Sequence, residues 1–270
     1  MIKKLLHPVV VKIKTCVDDS KHRNYLCTDN PGKLKKYRGS RAGKRCFIIG
    51  NGPSLKVEDL TALKDEDCFA CNRIYGLYDK TEWRPKYYCS QDCKVIEQIA
   101  EDLPYAVEEC EAAFFPYNFR GLFPEQVLKS SKVGLFYKPY VSVYSEDGTY
   151  PEGIMPFSDD ISKAVYDGLS ITYGMIQMAV YMGYKEIYLI GIDHNYPMKN
   201  GVVDVTQSYA EGIKPIDMST QYPPELLLCE NSFRGERKYC EANGVKIYNA
   251  TRGGKLEVFE RIELDQLIKE

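Results

Sequence analysis

Four short groups of residues have the types and spacing to do chemistry in this chain: Gly50, Asn51, Gly52, Pro53 and Ser54; Asn72; Ser90 and Asp92; and Asp193, His194, Asn195 and Tyr196. Each follows an apolar run. The first is the most informative. Cys46 to Ile49 is apolar throughout, as expected of a parallel strand covered on both faces. Gly-Asn-Gly then makes a turn that lets the backbone come close to something. Pro53 suits the first position of a helix, from which Leu55, Leu60 and Leu63 would face the sheet. A strand, a glycine turn and a helix N-terminus make an anion site, suited to phosphate. The spacing is neither the dinucleotide fingerprint nor a P-loop, so nucleotide binding is expected from the arrangement and not from a motif.

The elements that must hold these residues alternate. After the first strand and helix, Cys68 to Ile74 and Pro85 to Ser90 read as strands, followed by a helix from Lys94 to Asp102 and a strand at Ala112 to Phe115. Residues 116–168 are rich in aromatics, Pro and Gly and read as loops or a small lid, with Tyr140 to Tyr144 alternating like a strand. Ser170 to Met182 is a helix with Ile171, Met175, Met178, Ala179 and Met182 as its stripe, ended by Gly183. Glu186 to Ile192 is a second buried strand, and residues 197–222 form a long loop of a length that is often functional. A helix over 224–242 and a late strand at Val245 to Asn249 complete the pattern. Such alternation predicts an α/β fold, a doubly wound and mostly parallel sheet. Ligands bind such sheets beyond the carboxyl ends of the strands, where all four polar groups fall.

Composition sets the bounds. With 270 residues and 44% hydrophobic content, one domain over 44–270 preceded by an extension over 1–43 is expected. No apolar run is long enough to span a bilayer. The start, Met1 to Val11, is interrupted by His7 and Pro8 and lacks a cleavage-site pattern, so no signal peptide is expected. A cytoplasmic protein with reduced thiols is the expectation. Residues 1–45 hold 13 Lys/Arg against 3 Asp/Glu, a net of +10, leaving 23 against 35, a net of −12, for the rest. A basic arm on an acidic body points to an anionic membrane surface, making the protein peripheral at the inner face. No nucleic-acid-binding module accompanies it. Cys68, Cys71, Cys89 and Cys93 approach a zinc-ribbon spacing, but Cys68 and Cys71 on one strand would point to opposite faces. Asp65-Glu-Asp67 precedes a strand instead of ending one, so it reads as an exposed turn. No metal site is expected.

The motifs FIIGNGPSL, CNRIY and LSITYGMIQMAVYMGYKEIYLIGID, taken in order, resemble the bacterial sialyltransferases of glycosyltransferase family 42. They also resemble the broader set named after an archaeal-type 6-hydroxymethylpterin diphosphokinase, which the ending KIYNATRGGKLEVFERI matches more closely. The resemblance covers about residues 44–262. It implies a Rossmann-like glycosyltransferase that takes a nonulosonic acid from its CMP donor and needs no metal or other cofactor. It implies nucleotide contacts from Asn51, Ser54, Asn72 and Thr172. With the strand-end positions, the expected nucleotide site is Gly50, Asn51, Gly52, Ser54, Asn72, Ser90, Asp92, Thr172 and Asp193. Tyr196 and Tyr209 fall near the family's two tyrosines that donate to the departing phosphate, as neutral hydroxyls can where Mg²⁺ is absent.

The sequence departs from that pattern in two places. The family's arginine before Ile-Thr is Ser170, and no histidine occupies the general-base position, where Glu225 lies closest by count. His194 sits after a strand end and could deprotonate an acceptor hydroxyl. The expectation is a nucleotide-sugar glycosyltransferase of surface-glycan biosynthesis, CMP-nonulosonate its donor and a glycan or lipid-linked glycan its acceptor, free to form homo-oligomers. Two alternatives stand beside it. One is pterin diphosphate transfer from ATP with Mg²⁺ at Asp92 and Asp193; the other is a silent nucleotide- or glycan-binding protein.

Overall fold

The computed structural model describes residues 19–141, 152–200, 202–204, 207–217 and 225–268. The strands are β1 (Arg45–Ile49), β2 (Cys68–Cys71), β3 (Tyr87–Cys89), β4 (Ala112–Pro116), β5 (Val133–Phe136), β6 (Glu186–Ile190), β7 (Met198–Lys199), β8 (Val202–Val203), β9 (Lys246–Asn249) and β10 (Glu260–Arg261). All but β7 and β8, a separate antiparallel pair, form one parallel sheet in the order β10-β9-β6-β1-β2-β3-β4-β5. The expected doubly wound α/β architecture is therefore the observed one. The chain runs outward from β1 to β5, then returns to lay β6 against the other side of β1. The switch point of the sheet lies between β1 and β6, where a crevice opens.

The β1 run lacks polar residues because both its faces are covered. Phe47 and Ile49 belong to one apolar cluster and Cys46 and Ile48 to the other, and all four are wholly buried. The same pleat sends Cys68 and Cys71 into different clusters. The helices are α1 (residues 19–26), α2 (Asn30–Lys35), α3 (Val57–Ala62), α4 (Cys93–Ile99), α5 (Leu103–Glu108), α6 (Glu125–Lys129), α7 (Ile171–Met182) and α8 (Leu226–Ala242). Helix α7 is buried nearly all round and ends at Gly183, whose φ of +92° makes the left-handed cap. Among the described residues no helix is long and apolar enough to cross a membrane.

Three expectations are revised. Strand β2 stops at Cys71 instead of Ile74, because Asn72 turns left-handed (φ 52°) into a 3-10 turn over Asn72–Leu77. Strand β5 lies inside the stretch read as irregular. Its Gly134 hid the strand pattern, and a Cβ there would stand 2.7 Å from Leu34 Cδ2 of α2. Pro53 does not start a helix; α3 begins at Val57 and has only 6 residues. Of the strand-like pattern at Tyr140 to Tyr144, residues 142–144 lie outside the described residues, and Tyr140 and Val141 are not in a strand. The described part of the N-terminal extension packs onto the body: Tyr25 and Leu34 are wholly buried, and Tyr25 donates to the carbonyls of Leu135 and Ser162 at 3.2 Å.

Candidate active site at the switch point

The turns after β1 and β6 meet at the crevice, and their contact explains the glycines. A Cβ on Gly50 would stand 2.4 Å from the Gly191 carbonyl oxygen, and one on Gly52 would stand 1.9 Å from Asp193 Oδ2. The backbone therefore comes close to the β6 turn, whose Gly191 has φ +65°. Ser54, just past the glycine turn after β1, donates to Asp193 Oδ2 at 2.8 Å. Burial raises the Asp193 carboxyl above its usual range, partly offset by the bonds from Ser54.

A cavity opens over this junction. Its wall includes Gly50, Asn51, Gly52, Asn72, Asp193 and His194 from three strand ends, Ser170 and Thr172 from the start of α7, and Tyr196 and Tyr209 from the loop after β6. The helix N-terminus facing it is thus that of α7, whose 12 residues are capped by Ser170 accepting from the Thr172 amide. The expected helix after the glycine turn is not in this position. An N-terminus of this length favours an anion. Among the described residues no lysine or arginine lines the cavity, so the groups there that can answer negative charge are neutral donors and the helix end.

The two asparagines present opposite faces. Asn51 Nδ2 donates to the Cys71 carbonyl at 3.1 Å, and its Oδ1 is buried with no partner among the described residues. Asn72 Oδ1 accepts from Ser90 Oγ at 3.0 Å and its carbonyl accepts from Tyr88 at 2.5 Å, which leaves its amide hydrogens for a ligand. One residue offers an acceptor and the other donors. Buried polar atoms are costly to leave unpaired, and here such an atom belongs to a residue of the cavity wall.

His194 is held left-handed at φ 49°, a conformation that a non-glycine residue adopts at a cost. Its Nε2 is buried, lies 3.5 Å from Glu230 Oε1 of α8, and has no better-directed partner among the described residues. Desolvation lowers the imidazole pKa below 6.5, and the Glu230 carboxylate only partly restores it. Near neutral pH the ring is uncharged. With its proton on Nε2 toward Glu230, Nδ1 is left as the basic nitrogen. Burial raises the hydroxyl pKa of Tyr209, and that of Tyr196 although its ring is 38% exposed. Both therefore stay protonated, as a hydrogen-bond donor must.

Most of the expected site residues meet here, and four do not line the cavity. Ser54 holds Asp193, Ser90 holds Asn72, and Asp92 caps α4 through the amides of Lys94 and Val95. Glu225 is exposed at the start of α8. The first two act through a lining residue. Asp92 caps through Oδ1 and does not line the cavity with Asp193. Sequence reading missed Glu230, as well as Cys71, Ser208 and Phe233 in the wall. Glu230 is one of many acidic residues along the chain, and only the packing of α8 singles it out.

Comparisons with known proteins agree with this picture at the level of fold. The family model described as 6-hydroxymethylpterin diphosphokinase MptE-like matches residues 22–199. A solved structure, the MAf glycosyltransferase from Magnetospirillum magneticum AMB-1, superposes with a TM-score of 0.51 at 16% identity over 87% of this chain. The chain spans 39% of that protein's length. No functionally curated protein matches the sequence.

Proposed function

Because the chain belongs to the 6-hydroxymethylpterin diphosphokinase MptE-like family and shares its fold with a solved glycosyltransferase, we propose that it is a glycosyltransferase that moves a nonulosonic acid from its CMP donor to a glycan or lipid-linked glycan. The observation that carries this reading is the cavity itself. It lies at the switch point, is lined by no cation among the described residues, and includes two tyrosines, a helix N-terminus and a neutral histidine in its wall.

The donor's base and ribose present amine, carbonyl and hydroxyl groups that suit Asn51 Oδ1 and the Asn72 amide. When the bond from the anomeric carbon to the phosphate oxygen breaks, charge grows on CMP. Tyr196, Tyr209 and the α7 end stabilise it. Nδ1 of His194 takes the acceptor hydroxyl proton, and Glu230 steadies the imidazolium. Calorimetric titration with CMP and hydrolysis of a CMP-sugar test this. Absence of CMP binding would sink the donor assignment.

The family description supports a second reading, diphosphate transfer from ATP. Mg²⁺ is bound through one or two carboxylates plus substrate phosphates. Asp193 is the only carboxylate in the cavity wall among the described residues, so of these it alone would hold the ion, which would help carry phosphate charge. Tighter binding of ATP with Mg²⁺ than of CMP decides for this reading.

A further inference from the structure

A second cavity of about 610 Å³ opens on the same edge of the sheet, beyond β4 and β5. Its size falls within the ordinary range for small-molecule sites. Its wall combines aromatic faces, Tyr117, Phe119 and Tyr137, with three cations, Lys21, Arg120 and Lys138. The one carboxylate there, Asp167, is matched by Lys138 at 2.5 Å. Among the described residues, neither Lys21 nor Arg120 has a carboxylate within ion-pair distance, and both are exposed. Among the described residues the wall therefore carries two positive charges without a matching carboxylate, whereas the first cavity is lined by no cation. The Arg120 guanidinium lies 4.2 Å from the centre of the Tyr117 ring, and Lys138 Nζ 5.5 Å from that of Phe119. Cations seated on rings are already partly ordered before an anion arrives.

One short turn separates the two cavities. Asp167 and Leu169 line the second, and Ser170, the next residue, lines the first. The turn is fixed. Asp167 accepts from the Leu169 amide at 2.7 Å, and both Gly168 and Leu169 have left-handed backbones, φ 52° and 62°. A Cβ on Gly168 would stand 2.2 Å from the Tyr173 ring. Leu169 nonetheless remains 46% exposed on the crest. A molecule seated in the second cavity can thus reach over this crest to the mouth of the first.

We propose that the second cavity binds an anionic sugar, held against its aromatic wall with its carboxylate or phosphate toward Arg120 and Lys21, and that this sugar is the acceptor-side residue. The acceptor role rests on reading the first cavity as the donor site; the binding of an anionic sugar does not. A purely apolar ligand would leave the two cations unanswered.

The test is calorimetric or saturation-transfer titration of the full chain with cellobiose, with its uronic acid counterpart and with inorganic phosphate. The uronic acid disaccharide should bind about tenfold more tightly than cellobiose, as one charge-assisted hydrogen bond allows. Arg120→Ala and Lys21→Ala should each remove most of that preference while leaving CMP binding and thermal midpoint unchanged. Asn72→Ala should leave uronate binding unchanged. Equal binding of both disaccharides, indifference to Arg120→Ala, or loss of binding in Asn72→Ala would each overturn the site. Phosphate binding as tightly as the uronate would also overturn it. If the uronate site behaves as expected but CMP does not bind the wild-type protein, the acceptor role and the donor reading fall while the sugar site stands.

Discussion

The two edges of one sheet treat their polar residues in opposite ways. At the amino ends of the strands, Asp67 receives Lys86, Tyr184 at 2.5 Å and Arg41 at 3.6 Å, and Arg41 also donates to Tyr87 at 3.0 Å. Burial alone would raise the Asp67 carboxyl. The bonds from Lys86 and Tyr184 and the charges of Lys86 and Arg41 outweigh it and hold the pKa below the usual range. At the carboxyl ends, Asn51 Oδ1 and His194 Nε2 lack hydrogen-bond partners among the described residues, and Asp193 is pushed the other way by burial. One edge is closed upon itself and serves stability. The other leaves polar atoms of cavity-lining residues without hydrogen bonds, a pattern that occurs at functional sites.

The sharpest way to break this contrast is at His194. His194→Ala should reduce turnover by roughly 10²–10⁴, the usual range for a general base, with CMP affinity little changed. Glu225→Gln should be near wild type. Steady-state kinetics of the pair decides; a slow Glu225 variant beside a normal His194 variant would move the base to α8. If neither is slow, water or the substrate serves as base.

The amino edge should answer in stability instead. Asp67→Ala strands Lys86 and Arg41 and should cost about 3–5 kcal/mol if the cluster behaves as a buried pair, less as solvent reaches it. CMP affinity per folded molecule should be unchanged. Denaturant unfolding beside CMP titration separates the two readouts. Asn51→Ala and Asn72→Ala should do the converse, weakening CMP binding about tenfold each with little change in unfolding midpoint. Wild-type affinity in both would remove the nucleotide assignment.

Acid should distinguish the edges as well. The folded-state pKa of His194 lies below 6.5, so the neutral ring's stabilising share is intact above the unfolded value. It is lost as pH falls through the folded one. Turnover should therefore be flat near neutrality and fall below pH 6.5. A half-maximal rate above that value would contradict a desolvated His194 base. The smallest expected effect is none: under the proposed scheme neutral donors take the place of a metal, so EDTA should leave turnover unchanged. Loss of activity that Mg²⁺ restores would favour diphosphate transfer through Asp193.

The sequence by itself determined the layers and the edge on which the site lies. Apolar runs such as Cys46 to Ile49 can be satisfied only by cover on both faces, and polar residues at strand ends must gather beyond the carboxyl edge. That much made Asn51, Asn72, Asp193 and His194 legible. Only the tertiary structure decided what each one touches. Gly50 and Gly52 are required by the β6 turn more than by a ligand. The α7 N-terminus displaces the expected one at Pro53. Ser54, Ser90 and Asp92 turn toward protein partners. Glu230 joins His194 from 36 residues away in the chain. Side-chain pairing of this kind depends on distances of a few ångströms between elements far apart in sequence, and local pattern carries no record of it.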